Sequence, residues 1–162
     1  MTPNDLLAAS YRMSAAFLHR MVDDLTPEEF DRQPLPGANC AAWVVGHLAL
    51  TLRNTLRRFG AEDLPAIPDD VVAKLKTTKA PAGEQGGYGD PKALLAVFDT
   101  CVERLQAAVR ELPAEALTAA SDIPVPIPKN RAEAILFGAI HIAMHSGQLS
   151  TIRRSLGKPP VV

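Results

Sequence analysis

The sequence predicts an all-α protein built as a four-helix bundle. Three observations support this prediction: four long segments place apolar residues at three- and four-residue steps, few stretches alternate as strands do, and residues typical of helix starts and ends flank the segments. Amphipathic helices bury their apolar faces against one another, so four of them favour a bundle. With 162 residues, 47% of them hydrophobic, the chain is expected to form one domain over residues 1–162.

The first long helix is predicted over residues 3–25. Pro3 suits a first helical turn, and Asn4 or Asp5 complements the positive end of the helix dipole. Residues 26–29 then read Thr-Pro-Glu-Glu, which is typical of a capped helix start. We therefore expect a short helical turn before the second long helix begins.

The second long helix is predicted to start after Asn39 and to run to about Phe59, where Gly60 ends it. Residues 61–89 are rich in Pro, Gly and Lys, which predicts a surface excursion with one short helix at residues 68–76. A connection of this length permits a crossover. We therefore expect a long crossover connection between the second and third long helices.

The third long helix is predicted to begin at Asp90, an N-cap followed by a proline, and to extend to residue 112. Residues 123–128 alternate Ile or Val with Pro, and each proline removes a backbone donor and favours extended geometry in its predecessor. This segment is therefore expected to be an extended strap. Asn130 caps a fourth long helix over residues 131–156, and a glycine follows its end.

The charge balance and the longest uncharged stretch limit the kinds of partner. Seventeen Lys and Arg residues against eighteen Asp and Glu residues leave a net charge of −1, without the basic excess of a protein that binds nucleic acid. Residues 134–152 carry no formal charge and approach the ~20 residues that cross a bilayer. They contain several polar side chains, which are costly in hydrocarbon, so we expect a buried helix and no membrane partner.

The two cysteines indicate the compartment. Cys40 and Cys101 form no CxxC pair, which is typical of reduced thiols in an intracellular protein. The N-terminal residues show neither the basic nor the apolar region of a secretory signal. Together these features predict a cytoplasmic protein.

Two histidines on the fourth helix have the spacing of a metal site. His141 and His145 are four residues apart, which places both rings on one helix face with Cβ atoms about 5–6 Å apart. The same spacing occurs in zinc proteases, but Ile142 stands where those enzymes need a glutamate to activate water. The pair therefore favours metal binding and disfavours metalloprotease chemistry.

His47 is the candidate third ligand. It lies on the apolar face of the second long helix, next to Gly46 and four residues after Trp43. A neutral imidazole inside a bundle needs partners for both nitrogens, and a metal together with a hydrogen bond supplies them. A histidine on an apolar face can also be a satisfied core residue, and it is the pairing with His141 and His145 that favours the ligand interpretation.

The sequence resembles the DinB/YfiT-like superfamily over nearly its whole length. The motifs that carry the resemblance are Trp43-x-x-Gly46-His47-Leu48, His141-x-x-x-His145-x-Gly147-Gln148-Leu149 and Arg153-Arg154-x-x-Gly157. This resemblance implies a four-helix bundle with a divalent-metal site, commonly a homodimer. Some members of the superfamily are thiol-dependent S-transferases or mycothiol-dependent maleylpyruvate isomerases, and many have no known activity.

Carried over to this chain, the resemblance implies that His47, His141 and His145 bind one divalent metal ion. Three neutral nitrogens leave coordination positions for water or substrate, as in a catalytic site. Zn²⁺, Ni²⁺ and Fe²⁺ all suit imidazole ligands, and the sequence does not choose among them. The expected substrates are small molecules, with a low-molecular-weight thiol as a cosubstrate. The sequence identifies no catalytic residue.

Several other residues near these motifs have two interpretations each. Cys40 lies at the predicted start of the second helix, where the dipole lowers a thiol pKa, but a capping role is favoured. Gln148 could orient a ligand, or it could make a structural hydrogen bond. Arg153 and Arg154 could attract an anionic substrate, although cations are favoured at any helix C-terminus.

Four further residues are assigned structural roles. His19 and Asp23 stand four residues apart and could form half a metal site, but a solvated face is the favoured interpretation. Trp43 and Met144 could line a pocket, yet large apolar residues at helical spacing are usually core.

Three functional hypotheses remain open from the sequence. The first is a metal-dependent thiol S-transferase or isomerase, the second a non-catalytic metal-binding stress or sensor protein, and the third a metal-free bundle used for association. The sequence shows no obvious carboxylate beside the histidine pair to act as a general base, which weakens the isomerase assignment more than the metal site.

Overall fold

The computed structural model describes residues 1–76, 86–123 and 125–161. Its secondary structure over these residues is helical, with one isolated bridge between Ala120 and Asn130. The helices are α1 (Pro3–Val22), α2 (Pro27–Asp31), α3 (Ala41–Arg58), α4 (Asp69–Leu75), α5 (Pro91–Arg110) and α6 (Arg131–Ser155), with a 3₁₀ turn at Ala114–Thr118. The long helices α1, α3, α5 and α6 confirm the predicted all-α, four-helix class.

Side-chain caps define where the long helices begin. Asp90 and Asn130 cap α5 and α6 as predicted. Thr2 is the cap of α1, and it forms a reciprocal capping box with Asp5, one of the two residues expected to complement the helix dipole. The Asn4 side chain instead donates to backbone carbonyls at the C-terminal end of α5, including that of Val109 at 2.8 Å. This role depends on a neighbouring helix, so local sequence patterns did not indicate it.

The four long helices form an up-down-down-up arrangement. α1 packs against α5 and α6, and α5 packs against α3, whereas α3 and α6 share a smaller interface. Tyr11 lies against Gly138, and the guanidinium group of Arg153 donates to the carbonyl of Met21, so α1 and α6 run parallel. Phe59 at the end of α3 lies under Arg131 at the start of α6, so these two helices are antiparallel. The narrow α3–α6 interface therefore forms an open seam in the bundle.

α3 and α5 run in the same direction, which requires the predicted crossover. Gly46 in the first half of α3 faces Leu94 at the start of α5, and Arg104 further along α5 donates to the carbonyl of Asp63, beyond the end of α3. The connection between the two helices includes α4, which lies within the predicted short helix at residues 68–76. Residues 77–85 of the predicted surface excursion lie outside the described residues.

The end of α1 differs slightly from its predicted position, whereas the segment at residues 123–128 agrees with its prediction. α1 ends at Val22 rather than Leu25, because the chain turns before the capping box that begins α2 at Thr26. The described residues of the 123–128 strap are not helical, as predicted. Within the part of the chain that the structure describes, no helix has the length and apolar character needed to cross a membrane.

Candidate metal centre

The structure brings three histidines from two helices together at the α3–α6 seam. The Nε2 atom of His141 lies 3.4 Å from Nε2 of His47 and 3.1 Å from Nε2 of His145. One ring nitrogen from each histidine lies within 4.8 Å of the others. The three residues are separated by up to 98 positions in the sequence, so only the antiparallel contact between α3 and α6 makes this cluster.

Local packing fixes the orientation of the His47 ring. The indole ring of Trp43, one turn earlier on α3, stacks on the imidazole with centroids 4.7 Å apart and an interplanar angle of 6°. At the neighbouring Gly46, α4 approaches α3 closely, because a Cβ atom at this glycine would lie 2.8 Å from the Leu75 side chain. Trp43 is buried, as predicted for a core residue, and it serves the cluster as well as the core.

The surroundings keep all three imidazoles neutral. Burial, together with His145 and His141, lowers the pKa of His47 to about 4. Burial and His145 lower the pKa of His141 to about 4 as well. The pKa of His145 is lowered by burial, and the hydrogen bond with Gln148 opposes that shift. At neutral pH the cluster therefore offers nitrogen lone pairs rather than positive charges.

Hydrogen bonds outside the cluster determine which nitrogen carries a proton. The Nδ1 atom of His145 lies 3.0 Å from Oε1 of Gln148, an acceptor, so the proton is on Nδ1 and the lone pair is on Nε2. The backbone at Leu75 opposes the lowering of the His47 pKa, and the Nε2 atom of His47 faces His141. These partners are of the kind that orient metal-binding histidines in known sites.

The donor set fits a divalent metal ion. Two nitrogens at 2.0–2.1 Å from one Zn²⁺ are separated by about 2.9–3.4 Å for ligand angles between about 90° and about 109°. The two Nε2 separations measured from His141, 3.4 and 3.1 Å, fall within this range. Converging lone pairs repel one another unless a proton or a cation lies between them, so the geometry of His47, His141 and His145 could hold such an ion.

A cavity of about 250 Å³ opens beside the cluster in the α3–α6 seam. Its lining includes His47 and His141, with Tyr11 of α1 between the two helices. The Tyr11 side chain is 1% exposed, and burial raises the pKa of its hydroxyl group, which therefore stays protonated. Among the described residues, this hydroxyl group has no hydrogen-bond partner.

The tyrosine and its neighbour Gly138 were not identified from the sequence. A Cβ atom at Gly138 would lie 2.1 Å from the Tyr11 hydroxyl oxygen, so the glycine makes room for the phenol one turn before His141. Tyr11 follows the apolar periodicity of α1, which gave no reason to separate it from the core.

A second cavity of about 310 Å³ is lined by Asn39, Gln148 and Thr151 among others, and histidines are not among its lining residues.

Two sequence candidates have structural roles away from the cluster. Arg153 is 3% exposed and donates to Asp24 and to the carbonyl of Met21, so it joins α6 to the end of α1 and does not face the cavity. Cys40 is the buried N-cap of α3 and accepts from the amide of Trp43 at 3.5 Å. Burial raises its thiol pKa, which outweighs the lowering expected from the helix dipole.

The remaining candidates also lie apart from the three histidines. His19 is not merely solvated: its two ring nitrogens lie 2.8 Å from Asp23 and 2.7 Å from Asp99. Met144 is 60% exposed and belongs to neither the core nor the cavity. Both cysteines are free and buried.

Comparison with known proteins agrees with the fold and places the chain in a family. Comparison with curated proteins gives no match. Among solved structures, a conserved protein from Enterococcus faecalis is similar with a TM-score of 0.72 at 18% identity, over 98% of this chain and 99% of the other. YfiT from Bacillus subtilis, described as a probable metal-dependent hydrolase with an unusual four-helix bundle topology, is similar with a TM-score of 0.70 at 22% identity, over 96% of this chain and 89% of its own.

At these identities the structural likeness shows the fold alone. The family evidence is independent of it: a sequence model of the DinB superfamily matches residues 10–149, which is most of the chain and includes all three clustered histidines. The motifs around His47 and His145 had indicated the same relationship. The chain therefore belongs to the DinB superfamily.

Proposed function

We propose that this protein is a metal-dependent thiol S-transferase or isomerase in which His47, His141 and His145 bind the divalent cation. The observation that carries the proposal is the convergence of three neutral Nε2 atoms beside a cavity large enough for a small molecule. The chemistry that Zn²⁺, Ni²⁺ or Fe²⁺ supplies at such a site is Lewis-acid activation of a thiol, a water molecule or a carbonyl group.

The donor set favours a nucleophile supplied by a cosubstrate. Among the described residues, the group that could hold a metal contains three histidines and no carboxylate. Hydrolases with the paired-histidine motif use a carboxylate as general base for water. A low-molecular-weight thiol needs less assistance, because a thiol is far more acidic than water.

The protein's own residues hold the reacting groups. Trp43 fixes the His47 ring by stacking, and Gln148 fixes the proton of His145 on Nδ1. The Tyr11 hydroxyl group, held protonated by burial and lacking a partner among the described residues, can donate a hydrogen bond to an oxygen of a substrate in the cavity.

Metal content and thiol conjugation test the proposal together. Protein purified without chelator is expected to contain about one divalent ion per chain by mass spectrometry, and His47→Ala and His141→Ala to lose it. The matched control is His19→Ala, which removes a histidine outside the cluster and is expected to keep the ion. Wild-type protein that neither contains an ion nor binds one on titration contradicts the proposal.

The activity is measured with glutathione or cysteine and a fluorogenic electrophile such as monochlorobimane. Conjugation above the uncatalysed rate, abolished by EDTA and by His47→Ala, is the expected result. Hydrolysis of p-nitrophenyl acetate is measured in parallel, because the similar structure of YfiT makes a hydrolase the second candidate. Metal binding without either activity favours the non-catalytic sensor alternative.

We also propose that the protein is a cytoplasmic homodimer. The support for a dimer is a set of exposed apolar side chains on the adjacent parallel helices α1 and α6, which include Met13 (54% exposed), Phe17 (43%), Ile140 (45%) and Met144 (60%). Light scattering after gel filtration is expected to give twice the chain mass of 17.4 kDa, and Phe17→Glu to shift the protein towards the monomer. A wild-type monomer at micromolar concentration contradicts the dimer.

A further inference from the structure

The cavity beside the histidine cluster extends well beyond it along α3. His47, Thr51, Thr55 and Arg58 all line it, and their spacing of four, four and three residues places them on one helix face. The eleven residues from His47 to Arg58 correspond to about 16 Å along the helix axis. The cavity therefore has a histidine end and an arginine end, three helical turns apart.

The cavity walls between the two ends are mainly apolar. Phe137 and Ala134 of α6 face the α3 row, and Ile123 and Val125 from the segment before α6 complete the lining. The Thr55 hydroxyl group is already bonded to the carbonyl of Thr51 at 3.0 Å, so it is not available to a ligand as a donor. A ligand that follows this cavity therefore needs an apolar body.

Arg58 differs from the other arginines of α3. Arg53 donates to the carbonyl of Pro65 at 2.9 Å, and Arg57 lies 3.4 Å from the side-chain oxygen of Asn54. Arg58 has no hydrogen-bond or ionic partner among the described residues, although it lines the cavity. A guanidinium group presents two parallel N–H donors that match the two oxygens of a carboxylate.

We propose that this cavity selects a small amphipathic carboxylate, whose carboxylate group binds Arg58 and whose apolar body lies along Phe137 and Ile123. Its opposite end reaches His47, His141 and the Tyr11 hydroxyl group. That the end of the ligand near the histidines is the one that reacts rests on the proposed function. The binding of the carboxylate group to Arg58 does not rest on it. The substrate class is thus an apolar chain or ring system with an acidic group at one end and the reactive group at the other.

Calorimetric titration with octanoate and with its neutral counterpart octanamide tests the inference. Wild-type protein is expected to bind octanoate more tightly than octanamide. Arg58→Gln is expected to weaken octanoate binding about tenfold and to leave octanamide binding unchanged within twofold, because the substitution removes only the charged contact. Arg58→Lys is expected to be intermediate, since lysine keeps the charge without the paired donors.

Arg57→Gln is the matched control, because it removes the same charge from the neighbouring position outside the cavity lining. It is expected to leave octanoate binding within twofold of wild type. An equal loss in Arg57→Gln and Arg58→Gln would mean general charge attraction and would overturn the inference. So would an absence of octanoate binding to wild-type protein, or octanoate binding that Arg58→Gln does not change.

The histidine end is controlled by repeating the titrations with Co²⁺-loaded protein and recording its visible spectrum. If octanoate binds at Arg58, its carboxylate group does not become a ligand of Co²⁺. The ligand-field bands of Co²⁺ are then expected to show no new carboxylate ligand. A spectral change that persists in Arg58→Gln would mean that the carboxylate group binds the metal instead, and the inference would be wrong. Failure to load any metal contradicts the proposed function but leaves the Arg58 titrations of metal-free protein as a valid test.

Discussion

Gln148 shows how a residue outside the cluster can set its chemistry. Its Oε1 atom accepts from Nδ1 of His145 at 3.0 Å, which directs the His145 lone pair towards His141. Sequence analysis left this residue with two interpretations, a ligand-orienting one and a structural one. The geometry combines them, because the hydrogen bond is structural and its consequence is the orientation of a candidate ligand.

Replacing Gln148 is therefore expected to weaken metal binding without unfolding the protein. Gln148→Ala should lower Zn²⁺ affinity about 10–100-fold, the usual effect of losing such a partner. Competition with a chromophoric chelator measures the affinity. Gln106→Ala on α5, where the glutamine side chain bonds only within its own helix, is the control and should leave the affinity unchanged.

Tyr11 and Gly138 are coupled by the space that they share. A Cβ atom at Gly138 would lie 2.1 Å from the Tyr11 hydroxyl oxygen and 3.0 Å from its Cζ atom, so the clash is greatest with the hydroxyl group. Gly138→Ala should destabilise the protein by about 1–3 kcal/mol through overpacking. The cost should be smaller in Tyr11→Phe, which removes the oxygen.

A double-mutant cycle by urea unfolding measures this coupling. Gly147→Ala, on the same helix with open space at the Cβ position, is the control and should not destabilise. Equal costs of Gly138→Ala in both backgrounds would contradict the steric explanation.

His19 connects two helices in a pH-dependent way. Its ring lies between Asp23, the C-cap residue of its own helix α1, and Asp99 of α5. Burial alone would lower the His19 pKa, but the hydrogen bonds with Asp99 and Asp23 outweigh it, so the pKa is raised above the ordinary value of 6.5. The protonated ring therefore stabilises the α1–α5 contact more than the neutral ring does.

Because the folded-state pKa of His19 is raised, its stabilisation is complete below pH 6.5 and is lost as the pH rises through the folded-state pKa. Wild type should thus exceed His19→Gln in stability by more at pH 5.5 than at pH 8.5. The difference should be no more than about 1 kcal/mol, since water screens this partly exposed pair. Urea unfolding of both proteins at the two pH values measures it. The clustered histidines are present in both proteins, so their own titration cancels.

The candidate site lies at the narrow interface between α3 and α6. α1, α5 and their neighbours share extensive contacts, whereas α3 and α6 meet over a smaller interface that contains the cavity. A cation bound to His47 of α3 and to His141 and His145 of α6 would connect the two sides of this seam. Metal binding and global stability are therefore expected to be linked.

Adding Zn²⁺ at 100 times its dissociation constant should stabilise the protein by about 2.7 kcal/mol. For a protein of this length, that corresponds to an increase in Tm of roughly 5–10 °C. EDTA should reverse the increase, and His47→Ala should not show it. The same increase in His47→Ala would mean that the ion binds elsewhere and would contradict the site.

The sequence alone determined the helices and the identity of the candidate ligands. Apolar periodicity and caps such as Asp90 and Asn130 act over a few residues, so they are readable without a fold. The pair His141 and His145 is also local, because one helical turn fixes its geometry. The family motifs then connected this pair with His47.

Only the tertiary structure decided what these residues face. The direction of α3 against α6 brings His47 to the pair at the edge of the cavity, and the position of α1 places Tyr11 in the lining of the same cavity. The burial of Arg153 against Asp24 and the unpartnered position of Arg58 on the cavity are likewise set by neighbouring helices. The physical reason is that side-chain pairing and desolvation depend on contacts between segments far apart in the chain, whereas helix formation depends on neighbours along it.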